Sequence, residues 1–456
     1  MLDTVVRGAL VVTPSQVEIL DVGIRDGVFV ALASPGELTG RELVDATGLV
    51  LLPGGVDPHV HIATQSRDVM TLDDFATGTI PAGFGGTTTI VEFAIPRPGE
   101  STAAAIDRRH REAAGQAVVD YAFHAVVTGA EFNRSLRELE ALHDAGVGTV
   151  KVFSAYLDTI GLTVGQIHAV LRECARVGML PLVHCETESL ISEGIATVVA
   201  RGDLGPAGHA RSRTPLAEAD AIRTVCDLAL DVGSRLYVVH ISSAEGAAVV
   251  ARRKASGQDV LGETCSQYLF LDNSVYDRPD GELWICSPPI RPRSDVEGLW
   301  REVAATTIDV IATDHNCFDR EQKAEGRHDF REVPNGLPGI ELRIPLLVDA
   351  VQAGQLSWSQ LARLCAETPA RTMGLWPRKG AVAIGFDADF ALVDTAGETD
   401  LGRSHMATDY TPFEGMVGRG SIEQTWLRGT CLVRSSEFVG PRDGGRYLPA
   451  TTIATG

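Results

Sequence analysis

"GTVKVFSAY", residues 148–156, holds Val150, Val152 and Phe153 in a short apolar run that follows the turn-forming Gly146 and Gly148. The run reads as a buried β-strand. Lys151 stands in its middle. Burying an ammonium forfeits hydration worth several kcal/mol, and lysine is almost never fully buried without a partner. The lysine needs a partner that the run itself does not contain.

Working outward, seven further runs are short and apolar in the same way. They are "GVDPHVHI" (55–62), "TTTIVEFAI" (87–95), "VDYAFHAVV" (119–127), "LPLVHCE" (180–186), "RLYVVHISS" (235–243), "DVLGETC" (259–265) and "IDVIATDHN" (308–316). Longer helical stretches separate them. In "TVGQIHAVLRECARVG", Ile167, Val170, Leu171 and Cys174 fall on one face at i, i+3, i+4, i+7 spacing, and Gly178 suits a C-cap. Eight βα units predict an α/β fold, a (β/α)8 TIM barrel, over residues 53–378. Residues 1–52 alternate and turn in short β-like runs, and the same Gly-rich β pattern returns over 379–434. These two segments are expected to build one small sheet domain from both chain ends. The tail, 435–456, is rich in Gly, Pro and Arg and is expected to be mobile.

The chain has 456 residues, enough for two to four domains at roughly 100–200 residues each, although an α/β barrel can fill about 250 alone. Hydrophobic residues make up 44% and charged residues 22%, which suits a globular chain able to bury a large core. The formal net charge of −20 disfavours nucleic acid and anionic membranes as partners. No apolar run reaches the ~18 residues of a membrane span, and the N-terminus lacks the pattern of a signal peptide. The eight cysteines are scattered with no CxxC pair, which favours unpaired thiols and a cytoplasmic location.

In a barrel enzyme the active site lies at the C-terminal strand ends. There the runs carry His59 and His61, Lys151, His184, His240 and Asp314. His59 and His61 form HxH, and residues i and i+2 of a strand share a face, so both imidazoles can reach one metal. Each residue alone also has an ordinary reading: paired core histidines, a hydrogen-bonded strand histidine, or an aspartate capping the next helix. Together, at five strand ends, they point to a metal centre. The lysine fits that reading in one form. A protonated amine has no lone pair to offer. A neutral one can add CO2 to become a carbamate, a two-oxygen anion able to bridge two cations. The alternative is a lysine reaching from its strand to a carboxylate at the barrel mouth.

Taken together, the HxH pair, "VKVFSAY", "LVHCE", "VVHISS", "ETCSQYLFL", "SPPIRP", "TDHN", "PNGLPGIE" and "YTPFEG" resemble the dihydropyrimidinase/hydantoinase family of the amidohydrolase superfamily, in the family's order from about residue 1 to 430. The resemblance implies a TIM barrel with a β-sandwich built from both chain ends. It implies two divalent metal ions, usually zinc, bridged by Lys151 carboxylated with CO2. His59, His61 and Asp314 would hold one ion, and His184 and His240 the other. It implies a homotetramer or homodimer.

The activity implied is opening of a cyclic ureide or imide, such as a hydantoin or dihydropyrimidine, by a metal-bridging hydroxide. Asp314 would carry the proton to the leaving nitrogen, and Tyr156 would donate to the oxyanion. Main-chain groups at Ser287 and Asn335 would orient the planar ureide edge. An allantoinase-like hydrolase and a non-catalytic scaffold of the same fold are the alternatives. The family's apolar pocket loop is replaced here by Thr64, Gln65, Ser66, Arg67 and Asp68. Arg67 could pair with a carboxylate on the substrate through its planar fork.

Overall fold

The parallel strands run Gly55–His61, Thr87–Ala94, Asp120–Val126, Thr149–Phe153, Leu180–His184, Leu236–Val238 and Val260–Cys265, each hydrogen-bonded to the next. The computed structural model describes residues 1–66 and 69–450. The eighth run is split. Val310–Ala312 pairs with the seventh strand, and His315–Asn316 pairs with Val60 and His61 of the first. One broken run thus joins the last strand to the first and closes the barrel. The break falls at Thr313 and Asp314, and the Asp314 φ of 52° turns the chain.

The strands are buried along nearly their whole length, as the near-continuous Val, Ile and Leu runs predict for a parallel sheet covered by helices. The helix Val164–Val177 buries Ile167, Val170, Leu171 and Cys174, the predicted face. A capping box between Thr163 and Gln166 starts it, and Gly178 ends it in the left-handed conformation (φ 86°) that glycine adopts without Cβ strain.

The two chain ends share one mixed sheet. Phe390–Asp400 lies antiparallel to Val50–Pro53, with Leu392 opposite Leu51. On one side of this joint stand Leu2–Val12, Val17–Arg25 and Val28–Ala33, on the other Val417–Leu427, Thr430–Arg434 and Glu437–Phe438, and Gly40–Asp45 pairs parallel with Leu2–Val12. Val6, Val11, Phe29, Leu51, Phe390 and Trp426 fill its core. Sheet and barrel are pinned by Lys379, whose Nζ lies 2.6 Å from Asp120 at the start of the third barrel strand, 2.9 Å from Asp387 and 2.7 Å from Asp389.

The expectation of a loose tail needs correction over its described part. Arg446 and Leu448 exchange backbone hydrogen bonds with Tyr121, Gly445 donates to Ala117, and Ala450 donates to Gly146. Tyr447 stacks on Phe123 and meets His110 edge-on. Gly, Pro and Arg content describes the tail's own sequence. It says nothing of the unpaired backbone at the barrel's lower rim that the tail satisfies. All eight cysteines are free thiols. Among the described residues no helix is long and apolar enough to cross a membrane.

Candidate active site

The first strand presents His59 and His61 on one face, their rings 5.4 Å apart. Both Nε2 atoms lie 3.1 Å from the same oxygen, Asp314 Oδ1, delivered by the break in the eighth strand. Phe93 of the second strand underlies the pair, 4.7 Å from His59 and 4.8 Å from His61. Behind His59, Nδ1 lies 2.6 Å from Glu263 Oε1. Glu263 also accepts from the Tyr237 hydroxyl at 2.7 Å and from the His240 backbone N–H at 3.0 Å.

Charge tunes these groups strongly. Burial pushes the His59 imidazole down, but Glu263 and Asp314 outweigh it and raise its pKa to about 9. Burial alone would raise the Asp314 carboxyl, yet His59 and His61 hold it well below the carboxylate range.

Lys151 is 1% exposed. Its Nζ sits 5.1 Å from the Phe93 ring centroid and 4.9 Å from that of Phe153. Burial pulls the amine down to about 8 against the attraction of Asp314 and Glu263. No carboxylate lies within ion-pair distance of Lys151 among the described residues. A snorkelling lysine paired at the barrel mouth is therefore not what the fold contains.

His184 ends the fifth strand and His240 follows the sixth. His184 Nδ1 and His240 Nε2 lie 2.9 Å apart, and burial lowers both imidazoles, favouring the neutral form that offers a lone pair. His184 Nε2 is held 2.9 Å from Glu186 Oε2, to which Arg213 donates at 2.6 Å. Burial would raise Glu186, but Arg213 and His184 bring it to about 2. The ring of His59 is 5.4 Å from that of His240, so the two imidazole pairs face one shared space.

Beyond His184 the site continues outward. The Tyr156 ring lies 5.3 Å from His184, with the Arg213 guanidinium 5.2 Å from its centroid. Burial raises the phenol, and the nearby Arg213 and Ser287 oppose this. The Ser287 hydroxyl in turn donates to Asn335 Oδ1 at 2.8 Å. Tyr156 (φ 63°), His240 (38°) and Asp314 (52°) all hold left-handed backbone without being glycine, a strained conformation at three residues of the site.

The fold thus brings together nine of the ten residues singled out in the sequence. Arg67, with Asp68, lies outside the described residues. A cavity of about 290 Å³ is lined by the polar Thr64 and Gln65, by the apolar Met70, Phe93 and Ile160, and by the cationic Arg97, Arg108 and Arg109.

Glu263, Glu186 and Arg213 were not anticipated. Glu186 had a signal, since it stands two residues after His184, just past the end of the strand. Glu263 lies in "GETC", but its partner His59 is 204 residues away. A second buried group, Asp73, His315 and Cys317, also has its ligand-type atoms within 4.8 Å. There His315 Nδ1 accepts from the Gly339 N–H at 3.1 Å, which leaves the ring proton on Nε2 for Asp73 at 2.9 Å. That arrangement is a tether with both nitrogens engaged.

The amidohydrolase family's sequence profile matches residues 50–432. The D-hydantoinase of Streptomyces coelicolor is 38% identical over 460 residues, covering 98% of each chain. The chain belongs to the dihydropyrimidinase/hydantoinase family of the amidohydrolase superfamily. It is a cyclic amidohydrolase. The dihydropyrimidinase of Arabidopsis thaliana is 34% identical, covering 97% of this chain and 84% of its own. The crystal structure of the Brevibacillus agri dihydropyrimidinase superposes with a TM-score of 0.96 at 36% identity over 100% of both chains. An L-hydantoinase of Arthrobacter aurescens aligns at 0.91 and 28% identity, over 98% of this chain and 99% of its own.

Proposed function

We propose that this amidohydrolase opens the ring amide of a hydantoin or dihydropyrimidine at a binuclear metal centre. The single observation that carries the reading is the convergence of two buried imidazole pairs on the space beside a buried lysine and Asp314. The donor set fits two cations. His59, His61 and Asp314 would hold one, His184 and His240 the other, and Lys151, carboxylated by CO2, would bridge them. The lowered pKa of Lys151 favours the neutral amine that carboxylation requires. When bound, two divalent ions, zinc by family resemblance, supply the charge that acidifies a water and polarises the substrate carbonyl.

The chain's own residues do the rest. The Asp314 carboxylate accepts the water's proton and returns it to the leaving ring nitrogen. The Tyr156 hydroxyl donates to the oxygen of the attacked carbonyl as charge develops there. Backbone groups of Ser287 and Asn335 hold the planar ureide edge, and the left-handed backbone at 156, 240 and 314 aims the side chains. Glu263 and Glu186 fix the orientation of His59 and His184, as partners behind metal-ligating imidazoles commonly do. Arg67 is the proposed partner for a carboxylate on the substrate. Assembly as a homodimer or homotetramer belongs to the same reading, and sedimentation tests it.

The decisive experiment counts metal and measures turnover on one preparation. Two ions per chain are expected, with activity on hydantoin or dihydrouracil above that on allantoin or simple cyclic imides. Lys151→Ala should lose most metal and activity, and a short carboxylic acid should restore part of both. Full activity with one ion per chain or fewer would overturn the binuclear reading.

A further inference from the structure

Lys323 sits on the short helix Arg320–Ala324, outside the site just described, and is 0% exposed. Its Nζ donates to three backbone carbonyls, Ile285 at 2.8 Å, Pro334 at 2.8 Å and Gly336 at 2.7 Å. Three acceptors match the three donors of an ammonium, whereas a neutral amine has two. Burial pulls the amine down to about 7 against the opposing charge of Cys286 and Glu282, and the three carbonyls are the acceptors in contact with it. No carboxylate lies within ion-pair distance of it among the described residues.

The carbonyls belong to two chain segments far apart in sequence. Ile285 precedes Ser287 by two residues, and Pro334 and Gly336 flank Asn335. The Ile285 carbonyl also accepts from the Gly336 N–H at 3.1 Å, so one oxygen joins both turns and the lysine. The Pro334–Asn335 peptide is trans, so with the Pro334 carbonyl turned to Lys323 the Asn335 N–H points the opposite way. Gly336 holds φ 132°, where a Cβ would meet the Asn316 side chain at 2.3 Å, and the Asn316 N–H donates to the Leu337 carbonyl at 2.9 Å. The turn that carries Asn335 is thereby seated against the strand His315–Asn316 that follows Asp314.

We propose that Lys323 is a positioning residue, whose buried ammonium locks the turns at 285–288 and 334–337 together in the register that presents Ser287 and Asn335 to the substrate edge. The proposal rests on the reading of Ser287 and Asn335 as substrate contacts. It assigns specificity to a residue that touches neither substrate nor metal. Hydrogen bonds to the ureide edge persist from bound substrate to transition state. Loosening them therefore weakens both states alike and appears in KM.

The test uses the metal-loaded enzyme with hydantoin, comparing wild type, Lys323→Met and Lys323→Gln. Lys323→Met has no donor and Lys323→Gln has two. Expected are a KM raised about tenfold or more in Lys323→Met, a smaller rise in Lys323→Gln, and kcat within a few-fold of wild type. Metal content should stay at the wild-type value. Amide hydrogen exchange, read without substrate, should accelerate at 285–288 and 334–337 and stay unchanged at 149–153 and 180–184. Wild-type KM with wild-type exchange overturns the proposal. Faster exchange with wild-type KM overturns the substrate reading of Ser287 and Asn335, and the positioning role with it, while leaving a purely structural clamp. Lost metal with unchanged KM, or failure of both variants to fold, also overturns the positioning role.

Discussion

Only four lysines occur in this chain, and three of them are fully buried for three different reasons. Lys379 is caged by three carboxylates, which raise its pKa despite burial. Lys323 is caged by three carbonyls. Lys151 has neither cage, only aromatic faces and distant carboxylates, and its amine is pulled toward neutrality. Covalent conversion to an anion is the resolution that suits the third case. The same contrast in surroundings governs the other site residues. Tyr156→Phe removes one donor and keeps the ring. Turnover should drop on the order of 10²–10³-fold, mainly in kcat, and an unchanged kcat in steady-state assays removes Tyr156 from the chemistry. His59 supplies a pH test. With its pKa raised to about 9 in the metal-free protein, it is protonated below that value, and a cation must displace the proton. Cation affinity should therefore rise with pH up to about 9. In Glu263→Gln the rise should end at lower pH, because the carboxylate that holds the proton is gone. At high pH the variant should bind about 10–100-fold more weakly. Metal-buffered titrations between pH 6 and 9.5 check this, and a flat wild-type profile removes His59 from the ligand set.

At the scale of elements, what was legible in the sequence is what strand geometry fixes locally. The i, i+2 spacing of His59 and His61, the buried face of Val164–Val177 and the eight apolar runs all depend on neighbours along the chain. Partnerships across the sheet were not legible. Glu263 meets His59 through strand order and barrel curvature, and Arg213 meets Glu186 from the end of the helix Pro206–Ser212, neither of which a local pattern encodes. Lys323 was invisible for the same reason, since its acceptors are backbone atoms whose residue types carry no signal. The short hairpin pairing Gln65–Ser66 with Val69–Met70 is a composite case. Its polar sequence suggests a polar pocket, and the adjoining cavity is mixed, with Met70, Phe93 and Ile160 beside Arg97, Arg108 and Arg109. On the proposed role of Arg67, kcat/KM should favour hydantoin-5-acetic acid over phenylhydantoin, and Arg67→Ala should erase the preference. A preference for phenylhydantoin that Arg67→Ala leaves unchanged removes that role.

For the whole molecule, the joint between sheet and barrel is electrostatic as well as apolar. Lys379→Met would take the shared ammonium from the buried Asp120 and Asp389 and the partly exposed Asp387 at the barrel's lower rim, away from the candidate site, leaving Asp120 its pair with Arg428. It should cost about 3–5 kcal/mol of stability in denaturant unfolding while leaving KM of the folded enzyme near wild type. A stability change under about 1 kcal/mol would show that water reaches those carboxylates. The upper rim is closed differently. The run that completes the ring is broken at Asp314, and Asp314 meets His59 and His61 from the run that began the ring. The proposed cation would therefore act as a buckle on a belt. It would grip both ends of the barrel's circumference at the place where the eighth run is interrupted. Loading it would tighten the ring as well as arm it, and the affinity for metal would be written partly into the work of holding the barrel shut.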